Sequence, residues 1–114
     1  MGRLPNADRA IVPLEKFTEY ALNPEHPSGR HKARVFRTTL GLTLEDAAFL
    51  QATIQATART HDATPEAPTA YGDRYVIDFE LTTDSGTATI RTAWMVRKGE
   101  DYPRLTTCYV IEDK

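Results

Sequence analysis

Cysteine is almost missing from this sequence. Cys108 is the single one in 114 residues, which excludes an intramolecular disulfide framework and fits a reducing compartment. Long apolar runs are missing too, so no membrane span and no membrane partner are expected. Neither sign of charge dominates: 14 Lys+Arg stand against 16 Asp+Glu, a formal net charge of -2. That balance excludes a generally basic nucleic-acid coat while leaving room for a local basic patch. The opening Met1-Gly2-Arg3-Leu4-Pro5-Asn6 has no apolar signal core, and Asn6 breaks the myristoylation pattern. A cytoplasmic location is therefore expected. Hydrophobic residues at 40% and charged residues at 26% exclude an intrinsically disordered chain. The length suits one domain over residues 1–114.

Several chemistries lack their parts. His26, His31 and His61 are not accompanied by a Cys pair or by a helical His-x-x-x-His, so no metal site is expected. No glycine loop of the phosphate-binding kind and no dinucleotide fingerprint occur, so no cofactor is expected. No Gly-x-Ser-x-Gly elbow supports acyl transfer.

What is present has a clear order. Residues 1–13 read as an irregular arm and residues 14–59 as the helical part. Leu14, Phe17 and Ala21 recur at helical spacing, and Pro24 ends that helix. Asn23 to Gly29 form a loop by composition. A second helix runs from about Arg30 to Leu40 and is closed by Gly41. Thr43 caps a third, whose buried stripe is Leu44, Ala47, Leu50, Ile54 and Ala58. Residues 60–73 read as a long connection. From residue 74 to 112 the period becomes two. Strands are expected around Tyr75–Leu81, Ala88–Val96 and Leu105–Ile111, with a hairpin turn at Asp84-Ser85-Gly86. This is an α+β fold, with N-terminal helices packed on one face of a C-terminal antiparallel meander of at least three strands. The covered face is assigned Tyr75, Ile77, Phe79, Ile90, Trp94 and Tyr109. The open face is assigned Asp78, Glu80, Arg91, Ala93, Arg104 and Thr106.

Charge concentrates in residues 24–37, where Arg30, Lys32, Arg34 and Arg37 face only Glu25, a local excess of +3. Such an excess suits phosphate. On a helix whose apolar face is Ala33, Phe36 and Leu40, the three arginines form a stripe on one flank. Lys32 borders the opposite edge and can approach the sheet. A basic stripe on a short helix is ordinarily a solvated face. Equally, Arg91 and Arg104 can simply pair with Asp78 and Glu80 across neighbouring strands. Read chemically, the set is His26 or His31 with Lys32, Arg91, Arg104, Thr106 and the open-face carboxylates. Metal-independent RNA cleavage needs a base for the 2′-hydroxyl proton, cations for the phosphorane and an acid for the leaving oxygen. His26 is assigned the acid or base, Lys32, Arg91 and Arg104 the charge, and Thr106 a phosphate oxygen. Arg30, Arg34 and Asp78 are assigned to substrate binding.

The segments Leu4-Pro5-Asn6-Ala7, Asn23-Pro24-Glu25-His26-Pro27-Ser28-Gly29-Arg30-His31-Lys32-Ala33-Arg34-Val35-Phe36, Tyr71-Gly72 with Tyr75-Val76-Ile77-Asp78, Arg91-Thr92-Ala93-Trp94 and Pro103-Arg104-Leu105-Thr106-Thr107 with Tyr109 follow one another in a familiar pattern. The chain resembles an uncharacterised bacterial family known as a domain of unknown function. Domains of that type look like the barnase–EndoU–colicin–RelE-like group of ribonuclease toxins. The resemblance implies RNA cleavage on the uncovered sheet face, RNA as one partner and a cognate antitoxin or immunity protein as another. It also implies delivery into a target-cell cytoplasm if the domain belongs to a secreted toxin. The alternative is a non-catalytic module that binds a protein or a phosphate-bearing ligand.

Overall fold

The computed structural model describes residues 2–111. Met1 and Glu112, the expected ends of the arm and of the sheet, lie outside the described residues. The architecture is α+β, with helices in the N-terminal half and a four-stranded antiparallel sheet in the C-terminal half.

Helix α1 spans Arg30–Leu40 and α2 spans Ala47–Thr60. In α1, Ala33, Phe36 and Leu40 fall on one face by helical spacing and are buried, Phe36 completely. The helix stops where Gly41 adopts a left-handed φ of 69°, a conformation that costs glycine nothing. Ahead of α2, Thr43 and Asp46 form a reciprocal capping box: the Thr43 N–H donates to Asp46 Oδ2 at 2.9 Å and the Glu45 N–H to Thr43 Oγ1 at 3.4 Å. Leu44 falls in the 3₁₀ turn that starts this helix, so it is 42% exposed rather than part of the buried stripe.

The first expected helix is replaced by a shorter element. A single turn at Glu15 and Lys16 runs into a π-helical turn, Phe17–Ala21. There the Leu22 N–H donates to Phe17 O at 2.9 Å, five residues back. That wider spacing buries Phe17 and Leu22 together, while Leu14 stays 41% exposed.

The sheet has four strands, β1 (Thr64–Thr69), β2 (Gly72–Thr83), β3 (Gly86–Arg97) and β4 (Arg104–Ile111), in that spatial order. The residues expected to be a long connection thus hold β1. Its Pro65 and Pro68 obscured it, and an edge strand tolerates both because its outer N–H groups need no partner. Between β2 and β3, Tyr75, Ile77 and Phe79 stand opposite Trp94, Thr92 and Ile90 on the covered face, and Asp78 stands opposite Arg91 on the open one. Helix α1 lies against β3 and β4. One apolar cluster joins the helices to the sheet around Phe36, Leu50, Ile54, Ile77 and Trp94. The buried Trp94 indole N–H donates to Thr92 Oγ1 at 2.8 Å, and Thr92 donates to Ile77 O at 2.9 Å. That pairing leaves no polar atom stranded beside Trp94.

Strand β4 corrects one assignment. Leu105 pairs with Trp94 and Thr107 with Ala93, so Thr106 is the extra residue of a bulge. The bulge reverses the alternation beyond it. Cys108 and Val110 turn inward, and Tyr109, expected under the helices, stands opposite Arg91 on the open face.

Candidate functional site

The N-terminus of α1 is built without a Ser, Thr, Asp or Asn cap. The His26 ring takes that place: its Nδ1 accepts from the backbone N–H groups of Ser28 and Gly29, both at 3.0 Å. A nitrogen accepting two hydrogen bonds carries no proton, so the proton of the neutral ring sits on Nε2. The same ring stands edge-on to Tyr20, with centroids 4.8 Å apart.

One turn along α1, Lys32 Nζ donates to Tyr20 Oη at 3.3 Å and to Thr107 Oγ1 at 3.2 Å. It also lies 5.1 Å from the ring centroids of both Tyr20 and Tyr109, within cation–π range. Among the described residues Lys32 forms no ion pair. An ammonium has three protons, and two are committed here, which leaves one for a ligand. The π-helical turn supplies Tyr20 and the bulged strand supplies Thr107, so both irregular elements serve to place this lysine.

Lys32 lines a cleft of about 500 Å³ together with His26, Tyr20, Thr106, Thr107, Glu15, Glu19, Lys16 and Pro13. The structure therefore brings three of the five expected catalytic residues together: His26, Lys32 and Thr106. Two of them are already engaged. His26 has its lone pair on the backbone, and the Thr106 hydroxyl donates to Ala93 O at 2.9 Å. To a ligand, His26 offers an N–H and Thr106 offers lone pairs.

The other expected residues lie elsewhere. Arg91 holds Asp78 through two bonds of 2.9 Å, Nε to Oδ1 and Nη2 to Oδ2. That pair is the structural alternative raised from the sequence, and it occupies the Asp78 carboxylate. The hydrogen bond to Asp78 and a second to Tyr109 raise the Arg91 pKa further above its ordinary value. Arg91 thus meets the cleft through the Tyr109 ring that faces Lys32 and does not line it. Arg104 binds Glu100 through Nε and Nη2, each at 3.0 Å, and Tyr102 Oη at 3.2 Å. Its pKa is raised by the hydrogen bond to Glu100, and the Glu100 carboxyl is lowered by the same bond. Arg104 ties down the β3–β4 turn and stands outside the cleft. Arg30 and Arg34 line a different cleft on the other flank of α1.

Sequence reading missed Tyr20, Thr107 and Tyr109. Tyr20 had a signal, its i+3 spacing from Phe17. Thr107 and Tyr109 stand in the resembled pattern, but strict alternation sends both to the covered face and nothing in the sequence marks the bulge.

Cys108 lies beneath this region and is 1% exposed. Burial pushes its thiol from 9.0 up to about 12, partly opposed by the charge of Lys32. The thiolate is the reactive form, so the folded protein should resist Ellman's reagent at pH 8 and react once unfolded in guanidinium. Rapid labelling of the native protein overturns this burial. The sign for stability follows. Below about pH 9 the thiol is neutral in both states and adds nothing adverse. Between about 9 and about 12 only the unfolded thiol ionises, so stability falls as pH rises through that window.

No helix among the described residues is long and apolar enough to cross a membrane. No curated protein and no solved structure matches the chain. A family model described as a domain of unknown function (DUF6883) matches residues 3–112.

Proposed function

The chain belongs to the domain family DUF6883, and on the geometry of its Lys32 cleft we propose that it is a metal-independent endoribonuclease domain of the toxin type. One observation carries this reading. Lys32 is held by two hydroxyls and two aromatic rings, and among the described residues it forms no ion pair, at a cleft wide enough for a sugar–phosphate unit. A pinned ammonium with a spare proton suits the charge that develops on a phosphorane.

In this reading the RNA 2′-oxygen attacks the adjacent phosphorus, and the bond from phosphorus to the 5′-oxygen breaks. The products are a 2′,3′-cyclic phosphate and a free 5′-hydroxyl. A carboxylate of the cleft, Glu19 or Glu15, takes the 2′-hydroxyl proton, since the His26 lone pair is engaged. Tyr20, whose oxygen accepts from Lys32, keeps its own O–H and gives that proton to the leaving oxygen. Lys32 stabilises the resulting phenolate until water returns the proton from the carboxylic acid. His26 Nε2–H and the third Lys32 proton bind phosphoryl oxygens. Arg91 acts through Tyr109, and Arg104 takes no part. RNA is the substrate, the site of action is a bacterial cytoplasm, and an antitoxin or immunity protein is the expected neutralising partner.

A second reading, a phosphate-ligand module without turnover, is favoured by the commitments of His26 and Thr106, which leave donors and acceptors but no free imidazole base. The test is a single-stranded RNA of mixed sequence in EDTA beside its 2′-deoxy counterpart. Cleavage of the RNA alone, with cyclic phosphate ends, supports the ribonuclease. Binding of both strands with neither cut moves the assignment to the module.

A further inference from the structure

A second cleft, about 930 Å³ and larger than the first, runs along the opposite flank of α1. Leu22, Ala33, Leu42 and Leu44 give it an apolar lining. The first three are buried, while Leu44 is 42% exposed at the rim. The α1 wall carries Arg30, Arg34 and Arg37, all exposed, and Glu45 lies on the lining as well. Among the described residues none of these arginines forms an ion pair with a carboxylate, although Arg34 Nη2 meets His31 Nδ1 at 3.0 Å. Like charges three and four residues apart on a helix repel, and among the described residues Glu45 is the single carboxylate on the lining, with no ion pair to any of the three.

We propose that this groove docks an amphipathic helix of a protein partner. Its Asp or Glu side chains at i, i+4 and i+7 face the arginine row, and Leu or Ile side chains enter the apolar lining. The spacing carries the match. Arg30 to Arg37 cover roughly 10 Å at about 1.5 Å per residue, and a helix lying alongside repeats the same four-then-three interval. The apolar lining gives such a helix surface to bury, which phosphates do not have. RNA fits this groove less well, because among the described residues the lining holds no Phe, Tyr or Trp, its one aromatic ring being His31, and Glu45 adds negative charge. The inference stands apart from the cleavage reading. Lys32 projects from the other side of α1, so an occupied groove leaves the Lys32 cleft open.

The test is a titration of the ¹⁵N-labelled chain with a synthetic helical peptide bearing Glu at i, i+4 and i+7 and Leu on the adjoining stripe. Amide shifts should concentrate in residues 30–37 and 42–45. Arg34→Glu should weaken binding about tenfold or more, and Leu44→Gln severalfold. Replacing the peptide's Glu by Gln should match the loss in Arg34→Glu, whereas Lys32→Ala should leave the affinity within about twofold. Absence of binding, shifts centred outside the groove or equal binding of the Gln peptide overturns the proposal. So does a single-stranded RNA that moves the same amides at least as tightly, which reassigns the groove to nucleic acid.

Discussion

If the chain is the ribonuclease proposed, replacing Lys32 with alanine should lower RNA cleavage by about 10²–10³-fold, the loss typical of removing one preorganised group that faces the developing charge. Stability changes far less. The side chain is half-buried and gives up two cation–π contacts of about 0.5–1 kcal/mol each at such sites. Water can solvate the Tyr20 and Thr107 hydroxyls left behind. The melting temperature should therefore fall by only several degrees, and circular dichroism at 25 °C should match the wild type. Lys32→Arg keeps the charge but replaces a compact ammonium with a planar fork that cannot sit between Tyr20 Oη and Thr107 Oγ1 in the same way. It should recover only part of the rate. Tyr20→Phe should cost comparably to Lys32→Ala, since it removes the proton for the leaving oxygen. Unchanged cleavage in a folded Lys32→Ala variant would falsify the placement of the chemistry in this cleft.

Much of this arrangement was legible in the sequence, for identifiable reasons. Helix α1 shows itself by the spacing of Ala33, Phe36 and Leu40 and by Gly41 at its end, and the same spacing separates Lys32 from the arginine row. The hairpin β2–β3 shows itself by strict alternation around Asp84-Ser85-Gly86, with Gly86 opposite Thr83. Three features were hidden. Proline in β1 argues against a strand unless its edge position is known. The π-helical turn adds one residue to a helical turn, and no residue type announces it. The bulge at Thr106 shifts parity by one, and its cause is pairing with β3, a contact between distant positions. Both hidden irregularities bear on the cleft, since they aim Tyr20, Thr107 and Tyr109 at Lys32. Local patterns therefore locate the lysine but not the residues that hold it. Arg104 shows the opposite error. Its polar position on β4 suggests a surface site, and its partner Glu100 sits four residues earlier in a turn that alternation does not describe.

Phe36→Ala tests how far both clefts depend on a single anchor. The ring is fully buried on the inner face of α1, between the helix and the core around Ile77 and Trp94. Deleting it costs about 3–5 kcal/mol through lost transfer energy and the cavity left behind, a large share of the roughly 5–15 kcal/mol that holds a domain together. A fall in melting temperature on the order of 15 °C follows for a chain of this size. Phe36→Leu, which keeps most of the volume, should cost about 1–1.5 kcal/mol. The functional consequence separates anchoring from chemistry. Helix α1 carries Lys32 on one flank and Arg30, Arg34 and Arg37 on the other. Its N-terminus is fixed by the His26 ring and by a close approach at Gly29, where an added Cβ would lie 2.6 Å from Tyr20 O. Losing Phe36 releases the helix as a unit, so RNA cleavage and peptide docking should fall together near 37 °C and recover together at 10–15 °C as the folded fraction returns. Lys32→Ala should lower cleavage by the same factor of about 10²–10³ at every temperature and leave docking intact. If Phe36→Ala instead melts within a few degrees of wild type, the helix is held by contacts outside the core, and the two clefts do not share this anchor.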